Sequence, residues 1–172
     1  MPLIGRKVTG TQWARKADLG DEEVAADTVT KELRTTQNTL SFWSAADDRE
    51  PWRNAALAMG AAAERLDSLD VAWINREVLV GDGVQVVDSE GETPVTDLRD
   101  KHADASRLDA FRLARVATQV ARAVRSKPPQ LRRVTRTELI AMLAEAVEGS
   151  RMRLEDLREN VRKEVQAKLG GT

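Results

Sequence analysis

His102 is the one histidine of the chain, and it stands between Asp100 and Asp104 at the end of an acidic stretch that begins at Asp88. An imidazole ionises near neutrality, so beside carboxylates it can serve as a general acid or base. On that reading, stretch 88–104 would form a hydrolase or nuclease site. Asp88, Glu90, Glu92, Asp97 and Asp100 would then offer oxygen ligands to a divalent cation. The spacing argues against it. A calcium loop alternates its ligands regularly around a central glycine and closes on a glutamate, and these acids do not. No lysine follows a strand-borne acid by two positions, as a metal-dependent nuclease would want. The chain has no cysteine, so thiolate ligands, thiol nucleophiles and disulfides are excluded together. Ser41, Ser44, Ser89 and Ser106 carry hydroxyls, but spacing sets no base beside any of them. Phosphate loops, dinucleotide fingerprints and nucleophile elbows are missing too. The expected chemistry is therefore non-catalytic, with no cofactor and no metal.

A second constellation is cationic. Residues 104–136 carry nine Lys/Arg against two Asp/Glu, whereas residues 17–103 carry eight against nineteen. The net charge of −1 thus conceals a basic segment beside an acidic one. The cations are Arg107, Arg112, Arg115, Arg122, Arg125, Lys127, Arg132, Arg133 and Arg136. Guanidinium groups along one face can follow a phosphate backbone or pair with a partner's carboxylates. They can equally be neutralised by the acidic half of the same chain. Phe111 lies near the start of this arc, but no aromatic interleaving continues along it, so base stacking on single strands is not indicated.

The element that must position these arginines is a helix over 106–126. At 100° per residue, Leu113, Val116, Ala117, Val120, Ala121 and Val124 gather on one side, and the arginines on the other. Lys127-Pro128-Pro129 ends it, because proline neither donates nor tolerates a helical predecessor. Upstream, 3–8 reads as a short edge strand. Asp21-Glu22-Glu23 opens a helix reaching about Arg34, with acids where the helix dipole favours them. The run 39–45, β-branched and aromatic, is the best strand in the chain. Pro51, behind Asp47-Asp48, starts a helix to about Leu69. Its small residues Ala55, Ala56, Ala62 and Ala63 around Gly60 permit close approach to a sheet. A second strand, 71–74, completes a strand–helix–strand unit that would set the two strands parallel. The stretch 76–80 is ambiguous, and 84–87 would pair back on it across Gly81-Asp82-Gly83 as a hairpin.

Beyond the proline linker, 131–168 offers two short helices. One runs from Thr135 or Thr137 to about Glu148 with the stripe Leu139, Ile140, Leu143 and Val147. The other runs from about Leu154 to Leu169 with Leu154, Leu157, Val161 and Val165. Thirty-six residues are too few to bury both stripes alone, so 137–172 is expected to associate, with a second copy or another protein. An alternative is a dimeric DNA-binding regulator built from 131–168. However, Leu131 and Val134 do not alternate as a ribbon-helix-helix strand requires, and about ten residues separate the helices where a helix-turn-helix has three or four. No family is assigned.

These elements imply an α+β, or small α/β, chain: a short mixed sheet covered by three helices, then a helical hairpin. Domains are expected at 1–126, with a linker at 127–136 and an appendage at 137–172. The N-terminus lacks a signal-peptide core, and the most apolar stretch, 54–63, is too short to span a bilayer. That composition fits a cytoplasmic protein without membrane contact. Arginine outnumbers lysine by twenty to seven, which suggests a GC-rich bacterial coding sequence. The function expected is a non-catalytic binding subunit of a larger assembly, its arginine face contacting DNA, RNA or an acidic protein.

Overall fold

A computed structural model describes residues 2–16, 18–20, 23–45 and 50–171. It is an α+β fold. The acids Asp21, Glu22, Asp47 and Asp48, expected to open two helices, lie outside the described residues. In chain order the elements are β1 (Leu3–Val8), α1 (Gly10–Trp13), α2 (Ala26–Glu32), β2 (Leu40–Ala45), α3 (Arg53–Ala62), β3 (Leu69–Asn75), α4 (Arg76–Gly81) and β4 (Gln85–Ser89). They continue with β5 (His102–Ser106), α5 (Ala110–Arg125), β6 (Leu131–Val134), α6 (Arg136–Glu148) and α7 (Glu159–Gly170). The strands form one sheet in the order β4-β5-β2-β1-β3-β6, and every neighbouring pair is antiparallel.

The expected edge strand 3–8 is central, between β2 and β3. Its sequence suits that place. Ile4 and Val8 are buried on one face with Phe42 and Ile74. Gly5 lies under α3, where an added Cβ would stand 3.0 Å from the Ala55 Cβ. The alanines of α3 thus approach the sheet as their size allows. β2 and β3 do run in the same direction, but β1 separates them, so they form no parallel pair. Stretch 76–81 is helix rather than strand, and β4 pairs with β5 rather than folding back on it.

Two apolar layers enclose the sheet. On one face α5 brings Val116, Ala117 and Val120 against Ile4, Phe42 and Ile74, with Trp13 and Leu79 from α1 and α4. On the other, α3 is joined by the C-terminal helices: Leu139, Leu143, Leu157, Val161 and Val165 share one cluster with Trp43, Leu69, Val71 and the α3 alanines. Ile140, Val147 and Leu154 pack half-buried against that cluster. This corrects the expectation of an appendage that reserves its stripes for a partner. The sheet is the missing cover. The linker is correspondingly structured, because its residues 131–134 are β6, hydrogen-bonded to β3. A capping box sets where α6 begins: Thr135 Oγ1 accepts from the Glu138 N–H at 3.2 Å, and Glu138 Oε2 accepts from the Thr135 N–H at 2.7 Å. The last helix starts at Glu159, after a 3₁₀ turn at Leu154–Asp156.

Candidate functional site

The polar arc of α5 is divided along its length. At its start Asp109 caps the helix, accepting from the Arg112 N–H at 2.7 Å, and pairs with the Arg112 guanidinium at 2.6 Å. Arg112 also donates to the Gly83 carbonyl. One turn on, Arg115 covers the Phe111 ring at 4.7 Å and lies 4.0 Å from Asp82. Asp82 accepts from Gln119 Nε2 as well, at 2.6 Å. The acidic half of the chain therefore does meet this end of the arc, as intramolecular neutralisation requires. Asp82 does not stand out in the sequence, because it sits in a Gly-Asp-Gly turn that periodicity does not place.

The far end of α5 borders a cavity. Arg122, Arg125 and Lys127 line a surface cavity of about 700 Å³, together with Arg15 from the segment after α1. Arg125 is held there by its own chain, donating to the Trp13 carbonyl at 2.9 Å and the Glu23 carbonyl at 3.0 Å. Arg15 joins the expected set because α1 packs beside α5, a contact no local pattern announces. Arg107 is exposed ahead of the helix. The remaining arginines belong to β6 and α6 and have carboxylates within reach: Arg132 with Glu138 at 2.6 Å, Arg133 with Asp70 at 3.9 Å, Arg136 with Glu164 at 2.9 Å. Asp70 also accepts from the Gly10 N–H at 2.9 Å. Arg133 and Arg125 therefore flank the single turn of α1.

Comparison of the chain with protein-family models, curated proteins and solved structures finds no match.

His102 is not on a solvated loop. It begins β5, and the register places it between Ser89 of β4 and Trp43 of β2. Its Nδ1 is 2.8 Å from Ser89 Oγ, and that hydroxyl is also 2.8 Å from Asp104 Oδ2. Asp104 Oδ1 accepts from Ser41 Oγ at 3.2 Å. Asp104 and His102 are 3.9 Å apart. The Trp43 ring meets the imidazole edge-on at 4.9 Å, and the backbone of Gly91 closes over both. A serine thus does have a base beside it, contrary to the reading from spacing. Local pattern does not reveal the pairing that joins them, because β5 reads HADAS, with little strand propensity.

The acidic loop is partly paired. Asp97 receives two hydrogen bonds from Arg151 Nε, at 3.2 and 3.1 Å, and one from its Nη2 at 2.7 Å, which holds its carboxyl below the usual carboxylate range. Asp88 pairs with Arg76 and Asp100 with Lys101. Among the described residues no group of three His, Cys, Asp or Glu is placed to hold a metal ion, and no helix is long and apolar enough to cross a membrane.

Burial pushes the His102 imidazole below its ordinary value, against the upward pull of Asp104. The folded chain therefore binds this proton less readily than the unfolded chain, whose imidazole titrates near 6.5. The stabilising contribution is fully present above pH about 6.5 and is lost as pH falls through the lower folded value. Urea unfolding across this range should show stability falling with acidification. His102→Gln should flatten that slope, and an unchanged slope would show that other groups carry it.

Proposed function

We propose that this protein is a binding subunit that docks a polyanion on its arginine surface, a nucleic acid first and the acidic face of a protein second. The observation that carries this reading is the convergence of Arg15, Arg122, Arg125 and Lys127 on one concavity. Like charges gathered around a cavity raise a positive potential that draws polyanions.

The test uses the exposed members and spares Arg125, which holds α1. Reversing Arg15, Arg122 and Lys127 to Glu should abolish retention of a fluorescent DNA duplex at low salt. For the wild type, neutralising about four phosphates gives a log–log salt slope of roughly −3.6, about a hundredfold loss between roughly 50 and 200 mM. Absence of binding to any DNA or RNA, with retention of polyglutamate that the triple reversal abolishes, assigns the surface to an acidic protein. Failure to retain either polyanion at low ionic strength sinks the proposal.

A further inference from the structure

Ser89 occupies the last position of an edge strand, with its hydroxyl between an imidazole and a carboxylate. The hydroxyl donates its one proton to Asp104 Oδ2, and with the imidazole in the tautomer protonated at Nε2 the bare Nδ1 is a second acceptor at 2.8 Å. The imidazole packs edge-on against Trp43, and Gly91 crowds the His102 Cβ and the Trp43 ring, while the Nδ1 edge faces the serine. Ser89 is only half-buried. With Asp88, Glu90, Thr96, Arg99 and Asp100 it lines a surface cavity of about 500 Å³ between β4 and the 3₁₀ turn Thr96–Lys101. Arg99 is tethered through its Nε to the Thr93 carbonyl at 3.0 Å, which keeps a cation on the lining of the same cavity.

We propose that Ser89 is a nucleophile for acyl transfer, with His102 as its base, and that the cavity admits neutral or cationic esters. The Ser89 Oγ–C bond forms as its proton passes to His102 Nδ1. Asp104, 3.9 Å from that nitrogen, balances the imidazolium. Arg99 supplies positive charge for the oxyanion. Collapse breaks the bond to the leaving alkoxide, which takes the proton from Nδ1. Water then repeats the sequence on the acyl-serine, giving one carboxylic acid, one alcohol and the free hydroxyl. This arrangement differs from a relay in which the carboxylate orients the histidine: here the carboxylate binds the serine, and the protein fold orients the histidine. The three acids of the lining disfavour anionic esters. The site is remote in sequence from the cationic cavity and stands independently of the polyanion reading.

The test is labelling of the full chain with diisopropyl fluorophosphate, a neutral probe. Its P–F bond breaks as the Oγ–P bond forms, and fluoride leaves. The expected result is a single diisopropylphosphoryl adduct mapped to Ser89, absent in Ser89→Ala. His102→Gln should slow labelling by about 10²–10⁴, the usual contribution of a positioned base. Circular dichroism checks that this variant folds. If it does not, Ser89→Cys replaces it, with iodoacetamide alkylation expected to be faster than that of a free thiol at neutral pH because the imidazole favours the thiolate. No adduct at Ser89 in the folded wild type overturns the proposal. So does a labelling rate unchanged in folded His102→Gln, or a Ser89→Cys variant whose thiol is no more reactive than a free one.

Discussion

A chain ended at Lys127 is expected not to fold. The truncation leaves only α3 on that face of the sheet and strips β3 of its neighbour β6. Point variants grade the effect. Leu143 and Val161 are both 0% exposed. Leu143→Ala should cost about 2–5 kcal/mol, the range for deleting a buried leucine side chain. Val161→Asp places an uncompensated carboxylate in the same cluster and should cost about 4 kcal/mol or more. A domain of this size holds about 5–15 kcal/mol in all, so the pair Leu143→Asp with Val161→Asp should be unfolded. Urea denaturation of the single variants and solubility of the truncation check this. A folded, soluble 1–127 fragment would show that the helices are an independent appendage after all.

Gly91→Ala should also destabilise the fold, although it adds one methyl to a loop. The new Cβ would overlap the tip of the Trp43 ring and stand 2.8 Å from the His102 Cβ. Neither can retreat: Trp43 is in the core, and the His102 Cβ is fixed to β5. Relief must come from the loop backbone, at the expense of the Gly91 N–H to Arg99 carbonyl hydrogen bond of 2.9 Å. Overpacking of this kind costs about 1–3 kcal/mol, and Gly91→Val should exceed it. Gly81→Ala is the control. A Cβ there meets nothing within 4 Å, and it ends a helix where alanine is at least as good. Equal urea midpoints for Gly91→Ala and wild type would refute the close-approach argument.

Legibility in the sequence follows periodicity. α5 declares itself because one arc is apolar and the other cationic, and β2 because the aromatic pair Phe42 and Trp43 sits between serines just after Thr39. The two C-terminal stripes are legible as apolar. Their target is not, since a stripe says that burial is needed and not where. β1 reads as an edge because its Arg6 and Lys7 look solvated. In fact Arg6 turns inward, donating to the Ser41 carbonyl at 2.7 Å and covering the Phe42 ring at 5.7 Å. It substitutes for a ladder that β1 and β2 share only over Leu3–Gly5. β5 is invisible because Ala103 and Ala105 have no strand signature, yet both are fully buried. The meeting of Ser89 and His102 is hidden with it.

The strand order has a consequence for synthesis on the ribosome. Read outward from β1, the sheet is assembled nearly in the order in which it is translated: β2 and β3 flank the first strand, the β4–β5 pair extends one side, and β6 closes the other. Every strand after β1 except β4 can join a template already made, and β4 waits only for β5, the next strand in the chain. One face is the exception. Trp43, Leu69 and Val71 emerge early, but Leu139, Leu143, Val161 and Val165 that cover them come from the last elements described. For that interval the growing chain presents an apolar sheet face with only α3 upon it, and that is the window in which a chaperone would have most to hold.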